Sequence, residues 1–195
     1  LLLGRVGDQD AFYGIGVYVM RKDWLLRTLT EAVARNLGHF ERDILQRRQD
    51  ELKIYGYQVP SLVMPIYSTA SYFHANLALL EDGVREELFP MDRPVYTKLK
   101  DCDPVQYGLH AEVKNSLVGD GAHVDGKVDN CIIFRGAKIS RGAQLSNCVV
   151  MQNVTVGDQC KLGCIIADKN VVIRNGCTLQ GSESYPVYIA KNSII

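Results

Sequence analysis

The stretch Val118–Ile139, VGDGAHVDGKVDNCIIFRGAKI, decides the fold. Within it and beyond it, aliphatic residues recur six apart: Val118 and Val124; Ile133, Ile139 and Leu145; Val156 and Leu162; Ile173 and Leu179. Between them stand small or turn-forming residues, as in IFRGAK, ISRGAQ, VGDQCK and IRNGCT. A helix repeats about every 3.6 residues and a half-buried strand every two, so neither produces a six-residue beat. A left-handed parallel β-helix of hexapeptide repeats does. Each hexad is one short strand and a turn, and three hexads close a triangular coil. The aliphatic residue points into the prism, and the small residue, often Ala or Cys, fits beside the corner. Between Ala111 and Gly181 there is room for about four such coils. A Gly-rich sandwich would need alternating strands with hairpin signals, which this stretch lacks.

Moving outward, the chemistry changes at Pro104. Residues 1–104 carry 13 basic and 15 acidic residues, against 9 and 7 in residues 105–195. The second part holds 10 of the 17 glycines, and five of the six prolines lie between Pro60 and Pro104. Two domains are expected: residues 1–104, ending in a linker over about 84–104, and the β-helix over 105–195.

The first segment reads as mixed α/β. Phe12–Met20 has strand character, being rich in Val, Ile and Tyr. Asp23 is placed to cap a helix whose Trp24, Leu25, Leu26, Leu29 and Val33 share a face, with Gly38 ending the unit. A second helix is expected from Phe40, with Phe40, Ile44 and Leu45 inward and Arg42, Arg47 and Arg48 outward. Leu52–Val59 reads as a strand. Ser68 or Thr69 would cap a third helix with Tyr72, Phe73, Leu77 and Leu80 inward.

Composition excludes several function classes. The 22 basic and 22 acidic residues balance, which removes the cationic surface that nonspecific nucleic-acid or polybasic membrane binding requires. No apolar run approaches the roughly 20 residues of a bilayer span, and a cytoplasmic location is expected. The six cysteines form no Cys-x-x-Cys pair and have no His pair at ligand spacing, so buried structural thiols are expected rather than zinc.

Four phrases of the first segment, GVYVM (Gly16–Met20), HFERDIL (His39–Leu45), STASYFHANLALL (Ser68–Leu80) and RPVYT (Arg93–Thr97), stand in the order and spacing seen in bacterial glucose-1-phosphate adenylyltransferases, also called ADP-glucose pyrophosphorylases. VKNSLVGDGAHVDGKVDNCIIFRGAKI resembles the β-helix of that family, whose coils also carry Asn-Ser and Asn-Cys phrases. The resemblance covers nearly the whole chain. It implies the C-terminal part of a Rossmann-like nucleotidyltransferase domain followed by the β-helix, in a family that joins ATP to glucose 1-phosphate for glycogen synthesis. The family's Gly-rich nucleotide loop and Glu-Lys-Pro phrase are not in this sequence, which opens at Leu1 without Met.

Catalytic members carry Gly-Tyr-Trp-x-Asp-Val-Gly-Thr just before the Ser-Tyr helix, and its Asp binds the catalytic metal. Here the matching stretch is SLVMPIYS, Ser61–Ser68, with Pro65 at the Asp position and Tyr67 at the following Gly. Proline has neither a carboxylate nor an amide proton. No acidic residue lies between Glu51 and Glu81. The family's Phe-Gly-Lys-Asp-Ile becomes Phe-Glu-Arg-Asp-Ile, with Glu41 and Arg42 in place of Gly-Lys and Asp43 kept, and the sugar-side Ser corresponds to Gly14. The chain therefore resembles the non-catalytic, regulatory-type subunit of the family, with no catalytic residue, no metal and no cofactor of its own. Mg²⁺ is expected only in the catalytic members. The resemblance implies a catalytic adenylyltransferase subunit as partner in a hetero-oligomer, expected to be a tetramer, or else self-association.

On this reading Gly14, Gly16 and Asp43 are residual substrate contacts, although Asp43 on a helix equally reads as a solvated charge. Arg42, Arg47 and Arg48 would form an anionic effector site for a sugar phosphate or nucleotide, or else a solvent-exposed helix face. Two further readings stand beside it. One is a competent nucleotidyltransferase that recruits a carboxylate from elsewhere. The other is a hexapeptide acyltransferase with His123 as general base, although His123 sits inside a regular hexad rather than on an extended loop. His39, His74 and His110 read as packing or surface residues. The open ends of a β-helix invite cover, and YPVYIAKNSII at the C-terminus is apolar enough to supply it.

Overall fold

The computed structural model describes residues 2–5, 12–98 and 100–195. The chain forms two compact units, Leu1–Val63 and Met64–Ile195. The second is dominated by a parallel β-solenoid whose three faces each stack five strands. The first face runs through residues 106–107, 123–124, 138–139, 155–156 and 172–173. The second runs through 112–114, 127–129, 144–146, 161–163 and 178–180. The third runs through 117–118, 132–133, 149–150, 165–167 and 187–189. Each strand is short because each side of the triangle is one hexad. The last pairing belongs to the C-terminal segment: Val187–Ile189 adds a strand beside Ile165–Ala167, and Ile194 bridges Val172. YPVYIAKNSII thus continues the winding.

The prism is filled as the beat requires. Val124, Val128, Ile133, Ile139, Leu145, Val150, Val156, Leu162, Ile165 and Ile173 are at most 4% exposed, with Ala122, Ala137 and Ala143 beside the corners. Cys131, Cys148, Cys160 and Cys164 are buried and Cys177 half-buried, whereas Cys102 is exposed; all six are free thiols. The amide of Cys148 donates to Cys131 Sγ at 3.3 Å, and the neighbouring Cys148 thiol, then burial, pushes the Cys131 thiol up.

One corner departs from the six-residue rule. Ile139 and Leu145 are six apart, but Leu145 and Val150 are five apart, as are Val128 and Ile133. The tight corner is made by Asn115, Asn130 and Asn147, all left-handed with φ of 39°, 53° and 51°. Asparagine tolerates that conformation better than other chiral residues. The amides also stack: Asn115 Nδ2 donates to Asn130 Oδ1 at 2.8 Å, and Asn130 Nδ2 to Asn147 Oδ1 at 2.5 Å. Coils therefore repeat every 17 residues, as in Lys138, Thr155 and Val172, and every 15 where the Asp125–Gly126 corner is shorter still. At Gly126 a Cβ would stand 2.5 Å from the Ala143 carbonyl oxygen, so that corner admits no side chain.

Met64–Ile195 includes two helices, α3 (Thr69–Ala78) and α4 (Asp82–Leu88). The division of contacts thus falls well before the compositional change at Pro104. Ser68 caps α3 in a reciprocal box with Ser71, as the sequence suggests. Phe73, fully buried, lies over Val149, Cys164 and Ile166, which point out of the prism; Tyr72 and Leu77 pack around it. Helix α4 runs into the start of residues 84–104, read as linker from the sequence.

In the unit Leu1–Val63, β1 (Leu2–Arg5) pairs antiparallel with β2 (Phe12–Gly14) and parallel with β3 (Tyr57–Gln58). Both predicted strands are thus much shorter than expected, the first because Gly16 takes φ +74° and turns the chain. Helix α1 (Lys22–Ala34) has Arg21 at its N-cap, with no side-chain cap bond; Asp23 lies in the first turn, where a negative charge favours the helix dipole. It ends on Asn36, not Gly38: Asn36 is left-handed at φ 53°, and Leu37 N–H reaches Ala32 O at 2.9 Å. The residues of α1 that are buried are Thr28 and Ala32; of the expected face, Trp24 and Leu25 are half-buried, while Leu26, Leu29 and Val33 are exposed. A short π-helix, α2 (Phe40–Gln46), buries Ile44 as expected and Asp43 as not expected. No helix among the described residues is long and apolar enough to cross a membrane.

Candidate functional site

Gly14 closes β2 and Gly16 turns the chain in open space, so Gly16 serves conformation and not close approach. The turn delivers Tyr18, whose hydroxyl donates to the Glu41 carboxylate and whose ring meets Phe40 edge-on at 5.5 Å. Burial, then the bond to Glu41, pushes the Tyr18 hydroxyl up to about 12. Gly14, Tyr18, Glu41, Leu45 and Ile54 line a cavity of about 270 Å³. A larger cavity of about 550 Å³ shares Tyr18 and adds Met20, Arg21, Trp24, Arg27 and Tyr55. Gly14 therefore faces a cavity as a contact residue would, whereas Gly16 and Asp43 line neither.

Asp43 is fastened inside α2. Its carboxylate accepts from Arg42 Nε at 3.0 Å, from Arg42 Nη2 at 3.3 Å and from the His39 amide at 3.0 Å, with Arg47 Nη2 at 3.8 Å. Arg42 and then the His39 amide hold it down to about 2, far below an ordinary carboxylate. The Asp43 amide donates back to His39 O at 2.8 Å, so Asp43 ties down the first turn of α2. Its side chain is 5% exposed, so the solvated-charge alternative is not what the structure shows.

The three arginines do not converge. Arg42 and Arg47 share Asp43, while Arg48 pairs with Glu51 at 3.0 Å and Glu31 at 4.0 Å. Each cation already has a carboxylate partner, which lowers what any of them offers an incoming anion.

Pro65 sits half-buried in the irregular stretch ahead of α3. Two residues on, Tyr67 is 84% exposed and gives its amide to Ser71 Oγ at 2.9 Å. A divalent cation needs several oxygen ligands. None of Ser61–Ser68 carries a carboxylate, and among the described residues no three His, Cys, Asp or Glu side chains gather as ligands. Ser61–Ser68 therefore offers a divalent cation no carboxylate.

His123 lies on the exposed side of the first face, between Gln106 and Lys138 in register, and no carboxylate among the described residues stands within ion-pair distance. His110, by contrast, is not isolated. Its amide reaches Asp125 Oδ1 at 3.0 Å and its Nδ1 lies 3.4 Å from the same oxygen, which lowers the Asp125 carboxyl. Neither that pair nor Tyr18–Glu41 has a sequence signature, since the partners stand 15 and 23 residues apart.

Residues 104–183 match the family described as GlmU-like, C-terminal hexapeptide. The chain is 32% identical over 114 residues to the glycogen biosynthesis protein GlgD of Bacillus subtilis (strain 168), covering 55% of this chain and 33% of that protein. It is 41% identical over 69 residues to the GlgD of Geobacillus stearothermophilus, 35% of this chain and 20% of that protein. It is 30% identical over 132 residues to the glucose-1-phosphate adenylyltransferase of Thermotoga maritima, 66% of this chain and 31% of that protein. The chain is homologous to these proteins over the matched region and spans about a third or less of their length.

Proposed function

We propose that this chain serves glycogen biosynthesis as part of a regulatory or structural subunit of a glucose-1-phosphate adenylyltransferase, acting beside a catalytic subunit. The observation that carries the reading is Pro65. At the position where the resemblance puts a metal-binding carboxylate there is a side chain that can neither ligate a cation nor donate a hydrogen bond. Asp43 supports it, because its carboxylate is fully occupied by Arg42, Arg47 and the His39 amide. The chemistry of the whole enzyme would be attack of a sugar phosphate on the α-phosphorus of ATP, with cationic groups and a metal neutralising charge. In the proposed assembly that step belongs to the catalytic partner, and this chain supplies packing surface and regulation.

The test is co-expression of the full-length protein with a catalytic adenylyltransferase subunit, co-purification, and assay of ADP-glucose formation with and without it. A stable complex with altered activity is expected, together with no turnover by this protein alone. Turnover alone at the rate of the catalytic subunit would refute the reading. The double substitution Pro65→Asp with Tyr67→Gly should restore partial turnover in a lapsed catalytic site and leave an already competent one unchanged.

A further inference from the structure

We propose that Cys160 and Cys177 are a peroxide-sensitive thiol pair that closes to a disulfide between the last two coils of the second face. The residue ahead of each strand on that face stands one rung above its predecessor, giving the column Ala111, Gly126, Ala143, Cys160 and Cys177. The first three rungs carry no reactive group. The last two carry thiols in register.

Three observations set this pair apart from cysteines that only fill space. The first is where the sulfur lies. Cys160 Sγ donates to Arg174 O at 3.0 Å, which puts it in the gap between its own coil and the next, the coil of Cys177. The second is access. Cys160 is fully buried, but Cys177 is half-buried, because no described strand lies beyond Thr178–Gln180 on that face. Leu179 is half-buried for the same reason, whereas its counterparts Leu145 and Leu162 are at most 4% exposed. The prism is open there to a small oxidant. The third is an internal contrast. Cys131 and Cys148 are also in register, on the third face, but coils lie on both sides of them and both are fully buried.

The spacing decides what kind of bond forms. Coils stack about 4.8 Å apart, inside the roughly 4.4–6.8 Å between Cα atoms that a disulfide spans. Stacked Cβ atoms point the same way and keep about that separation, beyond the roughly 3.5–4.5 Å of a relaxed bridge. Closure therefore draws the last coil inward by a fraction of an ångström, which its open outer side permits. A bridge closed under such strain is readily reduced, as a switch must be and a permanent staple is not. The oxidant is a hydroperoxide. The Cys177 thiolate attacks its terminal oxygen, the O–O bond breaks, and the departing hydroxide or alkoxide takes up the proton that Cys177 released. The Cys160 sulfur then attacks the sulfenic sulfur of Cys177; the S–S bond forms, the S–O bond breaks, and water leaves with the Cys160 proton. Two thiols lose two electrons and the peroxide gains them. Burial pushes the Cys160 thiol up, which suits a sulfur that reacts only after its neighbour is oxidised. The inference rests on the solenoid alone and stands whether or not the adenylyltransferase reading holds.

The test treats the intact protein carrying Cys102→Ser with hydrogen peroxide, the substitution removing the exposed thiol and with it cross-links between copies. The remaining thiols are then blocked in denaturant and the digest is mapped by mass spectrometry without reductant. A Cys160–Cys177 link is expected, reversed by dithiothreitol, with Cys131 and Cys148 fully alkylated. Cys160→Ala places there the residue that Ala143 shows to fit the column, so that variant should fold and form no link. A closed loop of this length resists opening of the last coil, so hydrogen-exchange protection at Thr178–Gln180 should rise about 10- to 100-fold on oxidation. Protection at Lys127–Asp129, deep in the stack, should not change. A link through Cys131 or Cys148, Cys177 driven on to sulfinic acid with Cys160 still open to alkylation, or a link without gain in protection would overturn the proposal.

Discussion

Replacing Phe73 by Ala tests how α3 is held to the solenoid. The ring is fully buried over Val149, Cys164 and Ile166. An aromatic side chain buries about 150–200 Å², worth about 4–5 kcal/mol at roughly 25 cal/mol per Å². Large-to-small core substitutions of Phe cost a similar 3–5 kcal/mol. Only Tyr72 and Leu77, both partly buried, support the same contact from α3. The loss is therefore comparable with everything that docks the helix, and the cheapest response is local release with the prism intact. Native-state hydrogen exchange reads this directly. At about 1.4 kcal/mol per decade, protection of the 69–78 amides should fall about 10²- to 10³-fold. Protection around Val128, Leu145 and Val156, inside the prism, should change less than about tenfold. Phe73→Leu, nearly conserving volume, should cost under about 1.5 kcal/mol and leave α3 docked. Equal loss of protection in helix and prism, or an unmoved helix, would refute the reasoning.

Other outcomes follow from single groups. The Asp43 carboxyl is held at about 2 in the fold against about 3.9 unfolded, so its contribution is complete above pH 4 and disappears as the pH falls toward 2. Urea unfolding followed by Trp24, the single tryptophan, should show Asp43→Asn less stable than wild type at pH 7, with the two curves converging by pH 2; parallel curves would count against it. Asn147→Gly loses one ladder bond, about 1 kcal/mol, whereas Asn147→Ala adds about 1–2 kcal/mol for a left-handed alanine. Equal denaturation midpoints for the two variants would remove the conformational part of that account. Gly16→Ala, at φ +74° with open space around it, should cost about 1 kcal/mol. Gly126→Ala, which must displace the Ala143 backbone, should cost clearly more in the same melt.

The solenoid was legible because its cause is periodic: an aliphatic residue that must point inward once per side writes its spacing into the sequence. The five-residue corner was hidden because each six-apart pair, such as Ile139 and Leu145, lies on the near side of it, and Leu145 to Val150 looks like a continuous apolar strand. The docking of α3 was illegible for another reason. Phe73 fills a space made by residues 76 to 93 positions later, and no local pattern announces that. In the first unit, helical sidedness misled: Leu29 and Val33 are exposed while Thr28 and Ala32 are buried. Asp43 reads as a surface charge until its three donors are seen together. Pro65 needed no structure, since what matters there is a missing functional group.

The asparagine corners also make the length of this molecule a whole-number quantity. Asn115, Asn130 and Asn147 carry the same amide and the same left-handed bend from rung to rung, so a 17-residue block such as Gln144–Cys160 could be duplicated as a unit. Such an edit would shift everything beyond it by about 4.8 Å along the axis without altering any corner. An insertion of one residue within a strand would instead turn the side chains beyond it to the wrong side of the wall. Changes smaller than a coil are thus confined to the corners, as the short Asp125–Gly126 corner shows.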